Sequence, residues 1–294
     1  MIRTRAPEVD ELEHVGRSLA QWLSDDGPVQ LHPGDLGWYS LRGAAATADA
    51  VRVWSEGERI LAVSLLDGPG LLRFAVHPEH RDDSDLAQRI TADVAHADAG
   101  VLATGAAVIE VRGVPALDEC LAANGWSSDE PWTPLRRNLR LPVEAPGIRV
   151  ENVKSDDTEA WWRVHWSAFR GTPVPEARLR SLIDGWRLAA DGPFFSSARI
   201  LAGFNDSGEA VAVSAVWSAG EGRPGLLEPM GVHREQRGHG YGKAITLAAA
   251  AALRALGASS ALVATESSNF GGVATYAAAG FEALTPVRDW ARKG

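Results

Sequence analysis

The sequence predicts an α/β protein built from two tandem copies of one domain, each with a mixed sheet flanked by helices. The first observation is composition, because 294 residues with 45% hydrophobic and 23% charged residues are typical of a globular chain long enough for two domains. The second is a repeat, in which LLRFAVHPEHR and LLEPMGVHREQR place the pairs Val76-His77 and Val232-His233 at an offset of 156 residues. The third is the same order of strand and helix patterns in both halves.

The elements of each half follow one order. An amphipathic helix comes first, VDELEHVGRSLAQWL in one half and TEAWWRVHWSAF in the other. Residues 51–66 and 198–217 then predict hairpins, because turn signals interrupt two apolar runs. A meander that leads into strand, helix, strand and helix implies a mixed sheet with helices on both faces.

The repeated segment starts the second part of each half. A helix pattern that stops at glycine follows it, DLAQRITADVAHADAG or GKAITLAAAAALRALG. A strand is predicted next, over 106–111 or 261–265, and then a short helix before Gly125-Trp126 or Gly280-Phe281. The two prolines and the glycine of LPVEAPGIRV predict domains over 1–140 and 148–294, with a linker over 141–147.

Charge and cysteine content narrow the class of protein. The net charge of −9 makes general nucleic-acid binding unlikely. Cys120 is a single cysteine, the N-terminus shows no secretory signal, and no apolar run is long enough for a membrane span, so we expect a cytoplasmic protein. The charge is uneven, because residues 1–147 hold 13 basic and 23 acidic residues and residues 148–294 hold 16 and 15. The two halves therefore offer different fields to an anionic ligand.

The sharpest local signal is a glycine-rich turn between a predicted strand and a predicted helix. It reads Arg237-Gly238-His239-Gly240-Tyr241-Gly242-Lys243. Alternate glycines let backbone N–H groups converge without Cβ atoms in the way, and a helix N-terminus favours anions. The spacing fits neither GxGxxG nor GxxxxGK[ST]. We therefore predict a pyrophosphate site of another kind, to which Arg237 and Lys243 add positive charge.

This turn resembles the pyrophosphate loop [QR]-x-x-G-x-[GA] of the GNAT superfamily of N-acetyltransferases. Asn269 and Tyr276, with Gly280-Phe281, match a second pattern of that family. The resemblance covers residues 148–294 and implies acetyl-CoA as co-substrate, its pyrophosphate held by the N–H groups of residues 238 to 243. It also implies that the backbone of Met230 and Val232 pairs with the pantetheine arm, where the sheet splays.

Pro229 supports the splay independently of the motif. It lies in the predicted strand and has no N–H to donate to a ladder. A proline is disfavoured in a central strand unless the pairing is already broken there.

The resemblance implies direct attack of an acceptor amine on the acetyl thioester, through a tetrahedral intermediate. A backbone N–H near Met230 would stabilise the oxyanion, and Tyr276 would protonate the leaving thiolate. Glu228 is the first candidate for the base or amine anchor and Glu266 is the second, although either could be a solvated carboxylate. Asn269 is expected to cap the helix that carries Tyr276 and is a candidate cofactor contact.

The acceptor pocket has weaker signals. Trp166 and Phe169 are candidate acceptor contacts on the first helix of the second half, but their spacing equally suits a core-facing helix. His233 and His239 flank the loop as further candidate bases or as surface residues. No histidine or cysteine set has metal-ligand spacing, so we expect no metal. The expected partner is a small-molecule amine or a peptide, without nucleic acid or membrane, and the chain is expected to be a monomer or homodimer.

The first half departs from the family pattern at two places. Asp82-Asp83-Ser84-Asp85 replaces the glycine loop, and Leu121 stands where the second half has Tyr276. We therefore predict a degenerate first copy that does not bind acetyl-CoA, an arrangement similar to that of the mycothiol synthases. A non-catalytic acyl-CoA-binding or sensor protein is the alternative, and an NAD-type oxidoreductase is a weaker one.

Overall fold

The computed structural model describes residues 1–294 and confirms an α/β fold with a large mixed sheet flanked by helices. The strands are β1 (Arg3–Arg5), β2 (Val51–Glu56), β3 (Arg59–Leu66), β4 (Leu71–Val76), β5 (Ala107–Glu110), β6 (Ser127–Asn138), β7 (Arg149–Asn152), β8 (Ala198–Phe204), β9 (Ala210–Trp217), β10 (Gly225–Val232), β11 (Ser260–Glu266), β12 (Glu282–Ala283) and β13 (Val287–Arg292). The α-helices are α1 (Leu12–Trp22), α2 (Pro33–Tyr39), α3 (Ala44–Ala50), α4 (Ser84–Ala95), α5 (Pro115–Ala123), α6 (Glu159–Arg170), α7 (Glu176–Ala190), α8 (Tyr241–Ala255) and α9 (Phe270–Ala278).

The two halves share one continuous sheet. Its strand order is β1-β2-β3-β4-β5-β13-β6-β11-β10-β9-β8-β7, with β12 paired to β6. The pairs β4–β5 and β10–β11 are parallel, and the other pairs are antiparallel. Both predicted hairpins are present, as β2–β3 and β8–β9. Each half therefore has the meander followed by a parallel crossover that its sequence pattern predicts.

The halves exchange their last long strands, which the sequence did not predict. Strand β6, from the first half, pairs with β11 of the second half along seven residue pairs. Strand β13, from the end of the chain, lies between β5 and β6. The division at residues 141–147 stays a prediction, because strands from both sides of it complete the sheet of the other side.

The sheet opens between β10 and β11, as expected. The two strands pair at Gly225 with Ala261 and at Leu226 with Leu262, and their ladder ends there. The rest of β10 therefore has β9 on one side and an open edge on the other. This open edge is where the resemblance places the thioester arm.

A hydrophobic core joins the halves on one face of the sheet. It contains side chains of α1 and α2 together with side chains of α6 and α7. Helix α2 packs closely on β9, because a Cβ atom added at Gly34 or Gly37 would lie within 2.5 Å of Trp217. The first half is thus fixed against the strand that precedes β10. No helix of the chain has both the length and the apolar character that crossing a membrane requires.

Candidate active site

The glycine-rich turn forms the N-terminus of α8. Gly238 and Gly240 have φ values of 84° and 83°, the left-handed region that favours glycine. A Cβ atom at either position would meet nothing within 4 Å, so the backbone faces open space. Gly240 is the N-cap residue and supplies no side-chain hydrogen bond to the helix. The helix therefore begins without an internal cap.

The backbone N–H groups of this turn are available to a ligand. From Gly238 to Lys243, none donates a hydrogen bond to a backbone or side-chain acceptor. The helix dipole adds about half a positive charge at the same place. Arg237 braces the turn, because its Nη2 donates to the carbonyl oxygen of Ala168 on α6 at 2.8 Å. Lys243 is exposed on the first turn of α8. The residues present therefore fit a pyrophosphate group.

The open edge of β10 leads from this turn into the sheet. His233 donates its N–H to the carbonyl oxygen of Val211 on the β9 side, at 2.9 Å. Because successive residues of a strand point their backbone groups to opposite edges, Val232 and Met230 direct theirs away from β9. These are the two residues for which the sequence predicted pairing with pantetheine.

Glu228 and Pro229 form an irregularity in β10. The pairing register with β9 shifts between Leu227 and Met230, so the prediction that Pro229 lies in broken pairing is confirmed. The carbonyl oxygen of Glu228 accepts a hydrogen bond from the indole Nε1 of Trp217 at 2.8 Å. This bond satisfies a backbone group that the irregular ladder leaves out, and it fixes Glu228 at the inner end of the open edge.

The Glu228 carboxylate belongs to a cluster centred on Arg73 of the first half. Four carboxylates surround this guanidinium within 4 Å: Asp35 at 2.7 Å, Asp67 at 3.4 Å, and Glu110 and Glu228 at 3.6 Å each. Burial by itself lowers the pKa of Arg73, but the four carboxylates together raise it well above its usual value. Arg73 therefore keeps its charge beside Glu228.

The same cluster extends through the exchanged strand. Arg112 contacts Glu110 at 3.0 Å and Asp289 of β13 at 3.2 Å. Burial raises the pKa of Asp289 to about 6, with Arg112 opposing the shift. With Arg42, which lies 3.7 Å from Asp67, the cluster holds five carboxylates and three guanidinium groups. Burial raises the pKa of Asp35 to about 8, so at neutral pH the other four carboxylates face three guanidinium groups, and the inner end of the site is net negative.

Tyr276 is buried on α9 and lies near Glu228. Burial raises the pKa of its hydroxyl above the usual value of about 10, and the negative charge of Glu228 raises it further. Asn269 caps α9, because its side chain accepts a hydrogen bond from the N–H of Gly272 at 3.0 Å. The expectation that Asn269 caps the helix of Tyr276 is confirmed.

A cavity of about 860 Å³ lies between α2, α6 and α7 and reaches β10. We call it the interdomain cavity, and its lining includes Trp38, Trp162, Trp166, Phe169 and Glu228. Trp166 and Phe169 therefore line a cavity rather than fill the core. Trp161, on the same helix, is fully buried and donates to the carbonyl oxygen of Leu201 at 3.1 Å.

Other predicted residues lie at the margins. Glu266 is exposed at the end of β11, outside the lining of the interdomain cavity. His239 is exposed beside the turn, with its ring 5.9 Å from that of Tyr241. His233 is half-buried at the end of β10. No group of three or more His, Cys, Asp or Glu residues is arranged to hold a metal ion.

Sequence reasoning missed Arg73, Trp38 and His165. Arg73 and Trp38 belong to the first half and reach the site only through the packing of the two halves, so no local pattern marks them. His165 lies one helical turn after Trp161, with the two rings stacked at 5.2 Å. Burial lowers its pKa to about 4. Its position between Trp162 and Trp166 on α6 was the sequence signal that could have marked it as a site residue.

The opened sheet, the uncapped helix and the buried tyrosine all lie in the second half of the chain. Residues 158–281 match the acetyltransferase (GNAT) family. The chain is 29% identical over 284 residues to a mycothiol acetyltransferase of Thermobispora bispora, covering 84% of this chain and 92% of that protein. It is 27% identical to the mycothiol acetyltransferase of Saccharomonospora viridis, over 74% of this chain and 72% of the relative.

Solved structures show the same fold along the whole chain. A tandem GNAT protein from the clavulanic acid biosynthesis pathway aligns with a TM-score of 0.61 and 18% identity, over 99% of this chain and 98% of its own. A GCN5-related N-acetyltransferase from Sphaerobacter thermophilus aligns with a TM-score of 0.60 and 18% identity, over 99% and 95%. At these identities the likeness concerns the fold alone.

Proposed function

We propose that the chain is an acetyl-CoA-dependent N-acetyltransferase that acetylates a primary amine of a small molecule or peptide. The observation that carries the proposal is the unbonded row of N–H groups from Gly238 to Lys243, which leads along the open edge of β10 to Glu228 and Tyr276. In this assignment the row binds the pyrophosphate of acetyl-CoA, and Met230 and Val232 bind its pantetheine arm. Asn269 contributes through the helix that it caps.

Glu228 prepares the acceptor for attack. An ammonium group must lose a proton before its nitrogen can attack a carbonyl, and Glu228 is the carboxylate at the inner end of the open edge. The amine nitrogen then bonds to the acetyl carbon, and the carbonyl electron pair moves to oxygen. The N–H of Met230 points to the open edge and stabilises this oxyanion.

Tyr276 assists departure of the thiolate. Its raised pKa keeps the hydroxyl protonated at neutral pH, so it is available as a donor. Transfer to a thiolate with an ordinary pKa of about 8.5 is uphill for such a hydroxyl. The proton that Glu228 has accepted removes its negative charge, and the positive charge that forms on the attacking nitrogen favours the transfer further. The carbon–sulfur bond breaks, the carbonyl group re-forms, and coenzyme A leaves as the thiol, while the proton that the amide nitrogen loses restores the Tyr276 hydroxyl.

The first half has a supporting role in this proposal. Its loop carries Asp82, Asp83 and Asp85 in place of glycines, so we assign one acetyl-CoA site per chain, in the second half. Arg73 and Trp38 extend from the first half to Glu228 and to the interdomain cavity. The mycothiol acetyltransferase relatives support a small-molecule acceptor. We assign a cytoplasmic enzyme, monomeric or homodimeric, that needs no metal.

The test measures release of coenzyme A with a thiol reagent, using acetyl-CoA and a panel of primary amines. We expect release that depends on the amine, and we expect Tyr276→Phe to lower kcat by roughly 100-fold or more, with little change in acetyl-CoA affinity. Tyr39→Phe, a tyrosine of the first half, is the matched control and should keep its kcat. An unchanged kcat in Tyr276→Phe would remove this residue from the mechanism.

Two outcomes would support other functions. Acetyl-CoA binding without release of coenzyme A for any amine would identify a non-catalytic acyl-CoA-binding protein. Thermal stabilisation by NAD and not by acetyl-CoA would favour an oxidoreductase. The glycine spacing of the turn speaks against the second outcome.

A further inference from the structure

The interdomain cavity has three chemically different zones, and together they specify an acceptor. We propose that the acceptor is a primary amine on a planar, apolar body that carries an anionic group, such as a carboxylate, at the end remote from the amine. This inference rests on the proposed function and adds the chemical class of its acceptor. Each zone supports one part of the molecule.

The inner zone favours a cation. Glu228 is the carboxylate of the lining at this end, and its side chain is 32% exposed. Its partner Arg73 is shared with three further carboxylates, so it does not neutralise Glu228 alone. An ammonium group beside Glu228 would reduce this excess of negative charge. The amine end of the acceptor is therefore placed here, next to the proposed base.

The walls favour a flat apolar body. Four aromatic side chains contribute to them, Trp38, Trp162, Trp166 and Phe169. His165 adds a fifth ring, which is uncharged at neutral pH because burial lowers its pKa to about 4. The indole N–H of Trp166 already donates to Thr172 Oγ1 at 3.3 Å. Walls of this kind stack on planar groups.

The exposed zone favours an anion. Arg170 and Arg178 line the cavity, and neither has a carboxylate within 4.0 Å. Asp184 also lines the cavity and is the acidic lining residue nearest to them in the chain. It is paired with Arg187 at 2.9 Å. Two guanidinium groups without partners are suited to a carboxylate. Because both arginines are exposed while Glu228 is half-buried on β10, we place the anionic group at the mouth of the cavity and the amine at its inner end.

The cavity volume is compatible with such a molecule. At about 860 Å³ it lies within the range of roughly 300–1,000 Å³ that is common for small-molecule sites. The volume leaves room for more than one ring. The test therefore uses a simple probe that contains all three features rather than a presumed natural acceptor.

The experiment compares kcat/KM for four amines with the full-length enzyme and saturating acetyl-CoA. They are 4-(aminomethyl)benzoate, its uncharged amide 4-(aminomethyl)benzamide, benzylamine and glucosamine. We expect 4-(aminomethyl)benzoate to exceed the amide by about tenfold, and glucosamine to be the poorest of the four. Similar values for the benzoate and the amide, or a preference for glucosamine, would overturn the proposal while leaving amine acetylation in place.

Variants test the arginines themselves. Arg170→Gln and Arg178→Gln should each raise KM for 4-(aminomethyl)benzoate about fivefold to tenfold and leave KM for benzylamine unchanged. Arg180→Gln is the matched control, because Arg180 is an exposed arginine of α7 outside the lining. A raised KM for acetyl-CoA, with that for the benzoate unchanged, would show that these arginines serve the co-substrate and would overturn the assignment. If no amine releases coenzyme A, the proposed function fails first.

Discussion

The two halves of the chain contain the same strand–turn–helix unit but differ at the N-terminus of its helix. In the first half, Asp83 caps α4, and its Oδ1 accepts the N–H groups of Asp85 and Leu86 at 3.1 Å each. In the second half, α8 begins at Gly240 with no side-chain cap. A carboxylate thus occupies one helix N-terminus, while the other is free for an anion. The residues of this turn therefore decide whether the helix N-terminus is capped by a side chain or is available to an anion.

The same contrast appears on the last helix of each half. Leu121 of α5 is fully buried in the core of the first half, whereas Tyr276 of α9 brings a hydroxyl close to Glu228. The first half has not become inert, however. It supplies Arg73 to the carboxylate cluster and Trp38 to the interdomain cavity. The half with the capped turn thus contributes structurally to the proposed site of the other half.

The largest effect is expected where the exchanged strand joins the halves. Arg112→Met removes the cation between Glu110 and Asp289, all three of which are largely buried. Breaking a buried ion pair from one side typically costs about 3–5 kcal/mol. We expect a loss of this order in the free energy of unfolding, measured by denaturant titration of the whole chain.

Arg288→Met provides the comparison for this prediction. Arg288 lies on β13 as well, but it is exposed and donates only to the carbonyl oxygen of Asp129. Its replacement should cost less than about 1 kcal/mol. Equal stability of the two variants would mean that the cross-half ion pair does not stabilise the fold, and that the halves depend on each other less than the strand exchange indicates.

The next largest effect is expected when the turn before α8 is given a carboxylate, as in the turn before α4. Gly240→Asp places a carboxylate at the N-terminus of α8, at a backbone φ of 83° instead of the −79° from which Asp83 caps α4. It should weaken acetyl-CoA binding roughly tenfold to thirtyfold, because a carboxylate beside the turn repels a pyrophosphate. Isothermal titration with acetyl-CoA measures this effect.

Gly240→Asn is the control that separates the effect of the carboxylate charge on binding from the effect of side-chain shape. Both substitutions place a side chain at a φ of 83°, so they share the backbone strain. The asparagine variant lacks the charge and should bind several times more tightly than the aspartate variant. Equal affinities would assign the loss to shape alone and would weaken the electrostatic account of why the first half lost its anion site.

The sequence predicted the local features of this comparison. The hairpins, the turn at residues 237–243 and the Asp83 region depend on contacts between near neighbours, which periodicity and turn residues reveal. The Arg73–Glu228 contact joins residues 155 positions apart, and the insertion of β13 beside β5 joins the last strand of the chain to a strand of the first half. Such pairings depend on tertiary packing. Short strands such as AVIE and VRDWAR do not encode which partner they take.

The smallest effect is expected for Asp83→Ala, which tests whether the Asp83 carboxylate caps α4 in the first half. Asp83→Ala removes the acceptor of two helix N–H groups and of the contact with His80 Nδ1 at 3.0 Å. It should lower the free energy of unfolding by about 1 kcal/mol and leave acetyl-CoA binding unchanged. Asp82→Ala is the matched control, since Asp82 is not part of this cap, and it should cost less than half as much.

A second acetyl-CoA site appearing in Asp83→Ala would show that the carboxylate alone kept the first half from binding. If none appears, the loss also involves the missing glycines, because the backbone of residues 82–85 cannot present converging N–H groups as Gly238 and Gly240 allow.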